Sequence, residues 1–138
     1  MAKLRPDHIL ETAIYAPNLD AADAFYGGIL GLEEVMREDG RHVFYRCGSA
    51  MLLVFNPFAT MTASSGSDAA PAHGSTGEGH ICFSAPGIAL ERYRERMESA
   101  GIPIEKEITW PNGARSIYVR DPAGNSVEFA EPKLWSLS

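Results

Sequence analysis

Apolar and polar residues alternate over positions 8–16: Leu10, Thr12 and Ile14 fall on one side, Glu11, Ala13 and Tyr15 on the other. A period of two predicts a strand with two unlike faces. Pro17-Asn18 breaks it, and Asp20 is expected to cap a helix whose apolar residues Ala21, Ala24, Phe25, Ile29 and Leu30 recur at helical spacing, with Gly31 as its stop. The hairpin signal Asp39-Gly40 separates two short strands between residues 33 and 46, and a further strand is expected over 51–55. The same order then returns. Residues 80–86, HICFSAP, echo residues 11–17, ETAIYAP; a helix is expected over 90–100, with Tyr93 and Met97 on its inner face and a charged outer one. Strands follow over 102–109, with Pro103 near the start, over 115–120 and over 125–130. RHVFYR at 41–46 reappears as RSIYVR at 115–120, and LLVFNP at 52–57 as VEFAEP at 127–132.

Matches in the same order along the chain point to a tandem duplication. The expected architecture is α+β: two tandem βαβββ modules forming a half-open, barrel-like sheet with a shared concave site. Module one covers 8–57, a linker 58–78, module two 79–132 and a C-terminal tail 133–138. One helix can cover only one face of a four-stranded sheet, so the other face is left to line a cavity. By strand parity that face carries Glu11, Leu53, His80 and Glu128. The linker is rich in Ala, Ser, Thr and Gly, and His73 within it reads as a solvated loop residue. The tail offers Leu134, Trp135 and Leu137 to the body of the domain or to a partner subunit.

The repeat order, the phrase LDAADAFYGGILGLE at 19–33 and the phrase DPAGNSVEFAEP at 121–132 together resemble the vicinal oxygen chelate superfamily. This is the group of glyoxalase I, extradiol dioxygenases, fosfomycin-resistance enzymes and bleomycin-resistance proteins. The resemblance spans nearly the whole chain apart from 57–79. It implies a metal site fed by the first and last strand of each module, which here means Glu11, Leu53, His80 and Glu128. His80 and Glu128 match that pattern. Glu11 stands where His is commonest, and Leu53 cannot bind a metal.

The residue chemistry is consistent with a site of this kind. A neutral imidazole and a carboxylate can share one divalent ion, and Glu11 would add a second carboxylate. Such a set suits Fe(II), Mn, Zn or Mg without selecting one, and an open ion of this kind acts as a Lewis acid on paired substrate oxygens. The structural alternatives are a hydrogen-bonded His80 and a Glu11 paired with Arg115. Tyr15, Arg41, Tyr45, Leu53 and Arg115 are the candidates for shaping a substrate pocket, whereas parity puts His42 at the surface or under the helix.

Composition narrows the field. A net charge of −6 and a pI near 5.1 disfavour nucleic acid and anionic membranes as partners. No apolar run is long enough to span a bilayer and no signal peptide is evident, so a cytoplasmic location is expected. Cys47 and Cys82 form no CxxC and read as small buried residues. Gly-rich phosphate loops, GxSxG and zinc-type Cys/His spacing are missing. Two functions remain: a metal-dependent enzyme acting on a small substrate with vicinal oxygens, or a metal-free protein that sequesters a small molecule. Exposed sheet edges lead to the expectation of a homodimer in either case.

Overall fold

The computed structural model describes residues 3–63 and 65–137. The chain divides into two units, Met1–Ser75 and Thr76–Ser138. The first contains β1 (Glu11–Tyr15), α1 (Leu19–Asp23) running on into a π-helical stretch Ala24–Ile29, β2 (Glu33–Glu38), β3 (His42–Cys47), β4 (Ala50–Phe55) and a short α2 (Pro57–Thr60). The second contains β5 (His80–Ser84), α3 (Ala89–Ser99), β6 (Lys106–Thr109), β7 (Arg115–Arg120), β8 (Ser126–Ala130) and a 3-10 turn Pro132–Trp135. The sheet orders are β1-β4-β3-β2 and β5-β8-β7-β6. In each, the first strand runs parallel to the last, and the other pairs are antiparallel. The fold is therefore α+β with tandem βαβββ modules, and both four-stranded sheets are open rather than closed barrels.

Capping differs from expectation in the first unit. Asn18, not Asp20, is the N-cap: its backbone is extended and its side chain accepts from Ala21 N at 3.0 Å. Asp20 already lies within the first turn, where helical dihedrals keep its side chain from the capping position. The buried face consists of Leu19, Ala22, Phe25, Tyr26 and Leu30, with Phe25 and Tyr26 edge to face at 4.8 Å. Beneath them sits Tyr45, fully buried, whose hydroxyl donates to Asp23 Oδ1 at 2.5 Å. Asp23 also pairs with Arg37 at 2.9 Å. Burial first, and then the bond to Asp23, push the Tyr45 phenol far above its usual range.

In the second unit α3 buries Leu90 and Met97 and stacks Tyr93 on Phe129 at 4.4 Å, over a sheet face of Ile117, Val119 and Val127. β6 begins only at Lys106, later than its sequence pattern. Proline has no N–H to donate to a ladder, which removes Pro103 as a donor, and the first backbone bond to β7 is from Glu105 N to Tyr118 O at 2.8 Å.

The β7–β8 turn carries a connected polar group. Asp121 Oδ1 accepts from the backbone N–H groups of Ala123 and Asn125, both at 2.9 Å, and Oδ2 accepts from Asn125 Nδ2 at 2.9 Å. Asn125 Oδ1 in turn accepts from Gly79 N at 2.7 Å. Gly124 takes φ +86°, where a side chain is strained, and a Cβ there would also meet Glu78 Oε2 at 3.3 Å. The phrase DPAGN is thus a buried clamp that joins the start of β5 to the start of β8.

The Tyr45–Asp23 bond can be tested by urea unfolding. Tyr45→Phe removes the donor while Asp23 keeps Arg37, and is expected to cost about 1 kcal/mol. Asp23→Ala strands a buried hydroxyl and is expected to cost more, about 1–3 kcal/mol.

Candidate functional site

Parallel pairing of β5 with β8 sets His80 opposite Ser126 and Cys82 opposite Glu128. His80 Nδ1 lies 3.1 Å from the Ser126 carbonyl, which can only accept, so Nδ1 carries the proton. Nε2 is then directed to Glu128 Oε1, at 3.3 Å. The two partners differ in environment: the His80 side chain is 52% exposed and that of Glu128 only 8%. Glu128 Oε2 is buried with no hydrogen-bond partner. Tyr118 and Cys82 flank the carboxylate. Both stand close enough to the carboxylate for hydrogen bonding to it to add to the shifts of their own protons. Desolvation first, then the charge of Glu128, push the Cys82 thiol up to about 12, and the same causes raise the Tyr118 phenol. Both keep their protons at neutral pH.

These residues line a cavity of about 520 Å³ in the second unit. Trp110, anchored by Nε1 donating to Ser116 Oγ at 2.8 Å, forms part of its wall. The turn after β8 closes another side. Asn112 Nδ2 donates to the carbonyls of Lys133 and Leu134 at 3.0 and 3.3 Å, which brings Leu134 and Trp135 to the rim.

A metal ion fits this pair chemically. A ligating histidine usually donates its second ring N–H to a carbonyl or carboxylate, which fixes the tautomer and leaves the other nitrogen to bind, as the Ser126 carbonyl does here. A buried carboxylate oxygen without a partner is also costly unless something completes it. Among the described residues no group of three or more His, Cys, Asp or Glu side chains gathers to hold an ion. His80 and Glu128 come together as a pair.

The first unit has a larger cavity, about 750 Å³, on the open face of its own sheet. Glu11, Tyr15, Arg41 and Leu53 line it, together with His42, Phe44, Phe55 and His73. The inward position of His42 corrects the sequence expectation. Cross-strand partners share a face, and β3–β4 pairs His42 with Phe55 and Phe44 with Leu53. The even positions of β3 therefore face the cavity and Tyr45, paired with Leu52, faces the helix. Arg41 reaches the cavity because it sits in the turn before β3, outside the alternation. His73 is not a free loop residue: its Nδ1 meets the Tyr15 hydroxyl at 2.7 Å, its ring packs on Phe55 at 4.6 Å, and its N–H donates to Thr60 O at 2.9 Å. Residues 57–75 thus belong with the first unit.

Of the residues named from the sequence, Tyr45 and Arg115 line neither cavity. Arg115 pairs with Glu91 at 3.0 Å and Glu131 at 3.6 Å on the helix side. Hydrogen bonds from Arg94 and then from Arg115 hold the Glu91 carboxyl below its usual value. Both cysteines are free, with Cys47 half-buried and Cys82 exposed to its cavity rather than buried. Its position two residues after His80 was the available signal, since i and i+2 share a strand face. No helix among the described residues is long and apolar enough to cross a membrane.

A family model described as Glyoxalase/Bleomycin resistance protein/Dioxygenase superfamily matches residues 5–129. A crystal structure described as lactoylglutathione lyase from Agrobacterium tumefaciens is 47% identical, with a TM-score of 0.91 over 96% of this chain and 98% of that one. A glyoxalase/bleomycin resistance protein/dioxygenase from Nocardioides shares 19% identity and a TM-score of 0.71, over 94% of this chain and 85% of that one. A virulence protein from Salmonella typhimurium shares 21% identity and a TM-score of 0.70, over 93% and 98%. These last two likenesses show the fold alone. No match was found among curated proteins.

The environment of His42 gives a pH dependence. Its ring stacks on Phe44 at 4.0 Å, its Nδ1 is buried without a partner, and burial lowers its pKa below 6.5, against an opposing pull from Glu38. The unfolded chain therefore binds this proton more readily than the native one. The associated stability is full above about pH 6.5 and is lost as pH falls toward the native pKa. Urea midpoints compared at pH 7 and pH 5 should fall further for the wild type than for His42→Leu.

Proposed function

The chain belongs to the glyoxalase/bleomycin resistance protein/dioxygenase superfamily, and on that premise we propose that it is a divalent-metal-dependent enzyme of lyase type acting on a small substrate with vicinal oxygens. The observation that carries this reading is the His80–Glu128 pair, with its tautomer fixed by Ser126 O and its Glu128 Oε2 buried and unpartnered. The description of the Agrobacterium relative as a lyase supports lyase over dioxygenase chemistry. When bound, a divalent ion supplies Lewis-acid polarisation of paired oxygens.

The chain's own residues supply orientation and proton control. The Ser126 carbonyl takes the Nδ1 proton of His80 and leaves Nε2, turned toward Glu128, as the nitrogen that would bind an ion. Glu128 contributes negative charge from a buried position, where it is poorly screened. Tyr118, protonated at neutral pH, can donate a hydrogen bond to a substrate oxygen. Trp110 and Leu134 supply apolar surface to the wall of the cavity.

A metal-free sequestering protein is the second reading. It is favoured by Leu53, an apolar side chain at a position that the resemblance assigns to a ligand. The homodimer is proposed on the ground that β1, β2, β5 and β6 each end a sheet.

Calorimetric titration with Mn²⁺ and Zn²⁺ separates the two readings. His80→Ala and Glu128→Ala are each expected to weaken binding about 100-fold or more with the circular dichroism spectrum unchanged. Wild-type affinity in folded His80→Ala and Glu128→Ala variants would sink the enzyme reading.

A further inference from the structure

The cavity of the first unit has a chemistry of its own. Its wall consists of rings in fixed mutual geometry: His42 lies flat on Phe44 at 4.0 Å and 13°, and Phe55 meets Phe44 edge-on at 5.3 Å and 75°. His73 completes this wall, edge-on to Phe55 at 4.6 Å and held by Tyr15 and Thr60. The rings are therefore positioned before any ligand arrives, which lowers the ordering cost of binding.

One charged group beside this wall is underused. The Arg41 side chain is 22% exposed, and its contacts are long: Nη1 to Ala59 O at 3.4 Å and Nε to Glu38 Oε2 at 4.0 Å. A guanidinium has five N–H donors in a planar fork that matches a carboxylate. The other charge, Glu11, is exposed and solvated. His42 adds a buried, unpartnered Nδ1, a feature that packing alone does not require, since an aliphatic residue would fill the space without stranding a polar atom.

We propose that this cavity binds a planar aromatic carboxylate, its ring against Phe44 and Phe55 and its carboxylate on Arg41. The inference goes beyond the functional reading, since it concerns a second ligand site, and it stands on the first unit alone. Flat apolar walls favour a ring over a saturated chain, because offset and edge-on aromatic contacts add to the burial of area. The half-buried guanidinium favours an anion over a neutral isostere, because a charge-assisted fork replaces its long contacts.

The test uses full-length protein stripped of metal by chelator, with 1-naphthoate, 1-naphthamide and cyclohexanecarboxylate as probes. Titrations are followed by ¹H–¹⁵N NMR. Naphthoate is expected to bind at least tenfold more tightly than either comparison probe, with shifts concentrated at residues 42–44, 53–55 and 73. Arg41→Gln should lower naphthoate affinity about tenfold and leave naphthamide unchanged, and Arg41→Lys should recover part of the loss. His80→Ala and Glu128→Ala should leave naphthoate binding intact, so failure of the metal reading would not be mistaken for failure of this one. Equal affinity for naphthoate and naphthamide, shifts centred on β8, or binding that requires added metal would each overturn the proposal.

Discussion

A buried clamp of two polar side chains decides where the chemistry of the second unit sits. Asp121 and Asn125 are 4% and 1% exposed, and between them they tie the β7–β8 turn to the backbone of Gly79. β5 and β8 are distant in sequence and parallel, so no tight turn can set their register. The bond from Gly79 N to Asn125 Oδ1 does so instead, at the residue just before His80. A shift of one residue would turn Glu128 to the helix side and separate it from His80.

From that register the remaining features follow by strand geometry. His80, Cys82 and Glu128 share the open face, while Val127 and Phe129 meet α3 on the other. The Ser126 carbonyl, opposite His80, both completes the pairing region and fixes the imidazole tautomer. The same short segment, 125–129, thus sets the register and carries the polar side chain of the cavity, and the signature phrase is a backbone device.

The first unit has the same strand order and a different open face. Where the second unit has His80 and Glu128, the first has Glu11 and Leu53, and rings occupy the neighbouring positions of β3 and β4. The two units share one strand order, and their open faces carry a polar pair in one and an aromatic wall in the other. Faces pointing away from the helices are free to diverge in this way, because the packing that stabilises each sheet lies on its opposite side.

The sequence by itself determined the repeat, the strand and helix order and the pairing of His80 with Glu128, because period and duplication are properties of the chain read linearly. It also carried the family resemblance, through the 19–33 and 121–132 phrases. Parity counted within a single strand placed Tyr45 in the pocket and His42 outside it. The β3–β4 register reverses both, since a face is defined by pairing with Leu53 and Phe55 and not by counting from Arg41. The capping role of Asn18, the Arg115 pairing with Glu91 and Glu131, and the seating of His73 on Phe55 were likewise decided in three dimensions. Each depends on which distant side chain lies within a few ångströms, and local spacing in a sequence contains no measure of that distance.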